Sequence, residues 1–87
     1  MSRRAILGVH AEDKPLGDDV DLDELAAELE GYTGADLEAV VRDASMRAIR
    51  EAADAWGVEQ ADENADEIEI GEKHFDAAVQ SVQPTLE

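Results

Sequence analysis

Cysteine is absent from the 87 residues, which excludes a disulfide framework, a thiolate zinc site and a cysteine nucleophile. Aromatic residues number three, one each of Trp, Tyr and Phe, so any core must be assembled from small aliphatic side chains. Long hydrophobic runs are missing too, and the apolar part of "MSRRAILGVH" is too short for a signal peptide. The expectation is a soluble cytoplasmic protein with no membrane partner. Basic residues are scarce: 7 against 23 acidic ones, for a net charge of −16. Binding to nucleic acid or anionic lipid depends on Lys and Arg displacing counterions, so this balance argues against both. Excess acid accompanies disorder, an acidic docking surface, or adaptation to molar salt. Disorder fits poorly with 44% hydrophobic residues recurring at helical spacing, and a halophilic source is expected. The length allows one small domain that buries roughly 60–65% of its unfolded surface.

What is present reads as an all-α domain of four helices. Ile6, Val9 and His10 share one helical face within a segment from Arg3 to His10. "EDKPLGDDVD" is a loop. Asp21 then caps a short helix whose stripe of Leu22, Leu25, Ala26 and Leu29 stops at Gly31. Thr33 and Asp36 form a capping-box pattern before the third helix, Gly34 to Ala53, with Leu37, Val40, Val41, Ala44, Ala48, Ile49 and Ala52 facing inward. Its outer face sets Glu38–Arg42, Asp43–Arg47 and Arg47–Glu51 at i, i+4. That face is either a solvated, salt-bridged surface or a contact for an acidic neighbour. Residues 54–67 are acidic and aperiodic and read as a mobile loop, with Trp56 expected to cover the end of the third helix. "EIEI" suggests a short extended segment near 67–70. Gly71 then caps a last helix carrying Phe75, Ala78, Val79 and Val82 and ending before Pro84.

Most reactive constellations are missing. Two histidines 64 residues apart do not make a zinc site, and no glycine-rich loop ends in Lys-Ser/Thr, so the chain cannot hydrolyse ATP alone and no catalytic or metal-binding residue is assigned. "DDVDLDE" lacks the glycine and closing glutamate of a calcium loop. "GYTGADLE", residues 31–38, is the stretch that invites a ligand. A helix start preceded by glycine offers unpaired N–H groups and room for a ring or phosphate to approach, and His10 could stack on or hydrogen-bond to a purine or ribose. The alternative is that Gly31 ends one helix, Gly34 lets helices pack closely, and His10 sits at the core's edge.

The order of motifs bears on that choice. "RRAILGVHAEDKPLGDDVDLDELAAELEGYTGADLEAVVRDASMRAIREA", an acidic stretch and then "IEIGEKHFDAAVQSVQP" together resemble the C-terminal helical lid of AAA ATPases, most closely those of archaeal cell-division-cycle and valosin-containing-protein-like unfoldases. The resemblance covers roughly residues 3–85 of a lid domain assigned to residues 1–85; the closing Leu86–Glu87 pair reads as a vector remnant. It implies a lid packed on a core that is missing from this chain and that binds ATP or ADP with Mg. It further implies nucleotide contacts by His10, Gly34 and Ala35, and a homo-hexamer in which Arg42, Arg47 and Arg50 are candidates for the contact between subunits, protein substrates being engaged by other domains. Departures are Ala11 where Thr is common, Gly71 where Ser or Thr usually caps, and Thr85 where Ser often follows the proline. No arginine stands beside Gly34 and Ala35, which argues against a charged sensor of the γ-phosphate. Without the resemblance, the same residues describe a free-standing acidic helical adaptor that docks a basic protein partner.

Overall fold

A computed structural model describes residues 2–12 and 14–84; Thr85, Leu86 and Glu87 lie outside the described residues. Helix α1 (Arg3–Ala11) is opened by Ser2, whose hydroxyl accepts the Ala5 N–H at 3.1 Å. Of the expected Ile6–Val9–His10 arc, Ile6 packs against the core and His10 is half-buried, but Val9 is not inside. Arg3 Nε donates to the Ala26 carbonyl oxygen at 2.7 Å and Arg4 pairs with Asp23 at 3.0 Å. These latches lie on the side of α1 that carries the Leu7 and Ala11 stripe, which is buried, while Val9 is exposed.

Helix α2 (Leu22–Glu28) starts as expected: Asp21 Oδ1 accepts the N–H groups of Asp23 (2.9 Å) and Glu24 (3.2 Å). It ends before Gly31, in a turn closed by the Tyr32 N–H on the Leu29 carbonyl (3.1 Å). Gly31 occupies that turn at φ +91°, a backbone state that side chains disfavour.

Helix α3 (Gly34–Trp56) is the longest, and α1, α4 and α5 all pack on it. It buries Leu37, Val40, Val41, Ala44, Ala48 and Ala52. Ile49, expected inside, is exposed, because the inward arc is narrow and already filled by alanines.

The stretch 54–67 is helical rather than a loop. Helix α3 continues to Trp56, Gly57 reverses the chain at φ +92°, and α4 (Val58–Glu63) folds back with Ala61 buried, followed by a 3₁₀ turn, Ala65–Glu67. Its inward positions are alanines, which carry little hydropathy contrast. Trp56 does not cover the end of α3; the indole stays 53% exposed.

Ile68 and Ile70 are buried on an extended run, and Ile70 bridges in parallel to Leu16. The Ile70 N–H reaches the Pro15 carbonyl (2.8 Å) and the Gly17 N–H the Ile70 carbonyl (3.0 Å). Helix α5 (Glu72–Ser81) then closes the bundle through Phe75 and Ala78. Among the described residues no helix is long and apolar enough to cross a membrane.

Candidate functional site at the start of the long helix

The capping box forms as the sequence suggests. Thr33 Oγ1 accepts the Asp36 N–H (3.1 Å), and Asp36 Oδ2 accepts the Thr33 N–H (3.0 Å). Between them, Gly34 and Ala35 are exposed, and no acceptor among the described residues takes their N–H groups. A Cβ placed on Gly34 would meet nothing within 4 Å. Among the described residues Gly34 therefore does not serve close helix packing; its missing side chain leaves open space over a helix start whose Gly34 and Ala35 N–H groups find no acceptor there. Such a start suits an acceptor-bearing ligand.

His10 lies in the last turn of α1, half-buried, on an element packed against α3. No hydrogen bond among the described residues ties it to the α3 start. None of five surface hollows is lined by His10, Gly34 or Ala35.

The three arginines of α3 separate. Arg42 pairs with Glu38 at 3.3 Å, whereas Arg47 pairs with Asp43 at 2.6 Å and also donates to the Ser81 hydroxyl. The expected Arg47–Glu51 pair does not form. Glu51 is taken by Lys73 (2.9 Å) and His74 (3.2 Å) from α5, and their hydrogen bonds hold its carboxyl below the usual range. Arg47 and Arg50 line one hollow with Lys73 and His74. Arg42 stands apart, since five residues turn an α-helix by about 140° beyond a full circle.

Two positioning residues were not anticipated. Tyr32 donates its hydroxyl to the Val82 carbonyl (3.0 Å), a contact spanning 50 residues, so that the α3 start is tied to the end of α5. His74 is buried; its Nδ1 accepts the Gly71 N–H (2.9 Å), leaving Nε2 to carry the proton towards Glu51. His74 thus supplies the side-chain half of a cap that Gly71 cannot. Asp19 Oδ1 accepts the Glu72 N–H (3.2 Å) from across the fold, so two aspartates of "DDVDLDE" work as helix caps. The Glu72 carboxyl beside them is pushed up, chiefly by Asp76, then by desolvation and by Asp19.

These features define a small all-α domain built on one long central helix, α3. The chain belongs to the AAA+ lid domain family, whose pattern it matches over residues 19–65. It is 46% identical over 86 residues to a cell division cycle protein 48 homolog of Archaeoglobus fulgidus, covering 98% of this chain and 12% of that relative. It is 40% identical over 84 residues to Protein CdcH of Halobacterium salinarum, covering 97% of this chain and 10% of that relative. With an ATP-dependent zinc metalloprotease FtsH 2 of Salinibacter ruber the identity is 42% over 73 residues, 84% of this chain and 11% of that one. The chain therefore spans about a tenth of the length of the curated relatives it matches.

Proposed function

We propose that this chain is the nucleotide-sensing C-terminal lid of an ATP-driven AAA+ remodelling ATPase of the cytoplasm. It closes over the adenosine part of ATP or ADP, whose phosphates and Mg are held by a core domain outside this chain. The observation that carries the reading is the open start of α3, where Gly34 faces empty space and the Gly34 and Ala35 N–H groups have no acceptor among the described residues. His10, on the adjoining helix, contributes an imidazole to the same nucleotide. The lid supplies binding and orientation only; the bond-breaking chemistry belongs to the core. Moving as one body, the lid takes an angle to the core that follows the nucleotide, and a neighbouring subunit of a homo-hexamer reads that angle through Arg42, Arg47 and Arg50. Protein substrates are engaged by other domains.

The test is nucleotide binding by the full-length protein in high salt. Gly34→Val fills space that nothing in the lid uses, so the melting temperature should hold while nucleotide affinity falls. His10→Ala should weaken binding by about tenfold, the equivalent of about 1.4 kcal/mol. Unchanged affinity in both variants would refute the contact assignment. A charge-reversed Arg42, Arg47 and Arg50 triple variant that keeps its hexamer and its ATPase rate would refute the relay.

A further inference from the structure

The far end of α3 carries a second, unlike feature. Trp56 is 53% exposed and Val58 is 76% exposed, on either side of the Gly57 reversal. In a chain with one tryptophan, leaving that side chain in water is an unusual use of it. Beside it lies a hollow of about 370 Å³, walled by Ala52, Ala55, Ile68 and Trp56 and rimmed by Glu67 and Glu69. Neither rim carboxylate has a partner among the described residues. Glu51 also borders the hollow, but its charge is already committed to Lys73 and His74. Twenty-two residues of helix separate this end from Gly34, roughly 33 Å at 1.5 Å per residue.

We propose that this hollow is a docking site for a basic peptide segment bearing an apolar anchor. The anchor side chain enters between Trp56 and Ile68, and flanking Lys or Arg groups reach Glu67 and Glu69, with a cation over the indole face as a further contact. Charge selects this occupant. The chain's −16 attracts and steers a cationic segment and repels an acidic one or a second copy of itself. An apolar anchor is required because the walls are aliphatic and aromatic rather than polar. The proposal is independent of the nucleotide reading.

Trp56 reports on the site directly, since all tryptophan emission comes from it. Titrating the 87-residue chain with a hexapeptide of alternating lysine and leucine should give a saturable blue shift, weakened by added KCl. A hexapeptide of alternating glutamate and leucine should give none. Glu67→Gln with Glu69→Gln should weaken the lysine–leucine peptide by about fivefold, the equivalent of about 1 kcal/mol. Glu24→Gln with Glu28→Gln, which removes the same charge from the α2 surface, should leave affinity within about twofold. The site is refuted if no shift appears, or if both double variants weaken binding equally, which would mean attraction to overall charge. It is also refuted if a lysine–serine hexapeptide shifts the emission as far, since the anchor would then be irrelevant.

Discussion

Tyr32 and Glu72 show how single side chains hold this fold, and each carries a prediction. The Tyr32 hydroxyl closes the loop between α2 and α3 onto the last turn of α5, its proton shared between the Val82 and Val79 carbonyls, so Tyr32→Phe removes that tertiary contact and leaves the ring packed. A loss of about 1 kcal/mol in unfolding free energy is expected from chemical denaturation; an unchanged midpoint would show that water replaces the hydroxyl at no cost. Glu72 works in the opposite sense. Its carboxyl is raised by Asp76, by desolvation and by Asp19, so the native state binds its proton more tightly than the unfolded chain does. Stability from this group is present on the acid side and is lost as pH rises through the raised value. Glu72→Gln should therefore melt higher than the parent at pH 7 in low salt. The gap should close below about pH 4, where carboxylates are protonated in both states. A parent that outlasts the variant at pH 7 would mean that Glu72 makes a favourable contact instead. Glu51, held low by Lys73 and His74, contributes with the reverse slope: its stabilisation exists above the ordinary carboxylate range and fades on acidification.

At the scale of elements, the α3–α4 reversal depends on one residue. Gly57 sits at φ +92° with nothing within 4 Å of an added Cβ, so Gly57→Ala meets no clash and suffers only backbone strain. A destabilisation of about 1–2 kcal/mol is expected, with α4 fraying first in hydrogen exchange; equal protection of α4 in both proteins would contradict it. This reversal also marks where the sequence stops being legible. The caps at Asp21 and Thr33 and the inner stripe of α3 are local in sequence and could be read from spacing alone. Helix α4 could not, because its inward side chain, Ala61, hardly stands out among the acidic residues around it. The Arg3 latch of α1 was hidden as well, since it reaches a carbonyl 23 residues away. The candidate site divides along the same line. The Thr33–Asp36 capping box read from the sequence forms, and Gly34 stands bare within it. The roles of Tyr32 and His74 rest on contacts across 50 and 23 residues, and no local pattern announces them.

Over the whole molecule, a core rich in alanine stands against a strong excess of like charge. The buried core includes Ala26, Ala44, Ala48, Ala52, Ala61 and Ala78, with Phe75 as its one aromatic, so the hydrophobic gain per residue is modest. Against it stands a net charge of −16 on a body of 40 × 23 × 18 Å. At 0.1 M salt the screening length is about 10 Å, comparable with the shorter half-widths, and carboxylates on neighbouring helices still repel; at 1 M it is about 3 Å and only direct neighbours interact. Unfolding separates those charges, so the repulsion is a property of the folded state and salt should relieve it. The melting temperature is expected to climb steeply in KCl up to about 1 M, by about 4–8 °C for each kcal/mol of repulsion removed, and then level off. The shape of that curve identifies its cause. Screening saturates once the Debye length falls below the charge spacing, whereas exclusion of salt from the surface keeps stabilising in proportion to concentration and is stronger for sulfate than for chloride. A curve that bends over near 1 M and coincides for KCl and K₂SO₄ at equal ionic strength assigns the effect to charge repulsion. A melting temperature that is flat from 0.05 to 1 M, on the order of a twentyfold range of ionic strength, would mean that pairs such as Arg47–Asp43 and Lys73–Glu51 already neutralise the charges that matter.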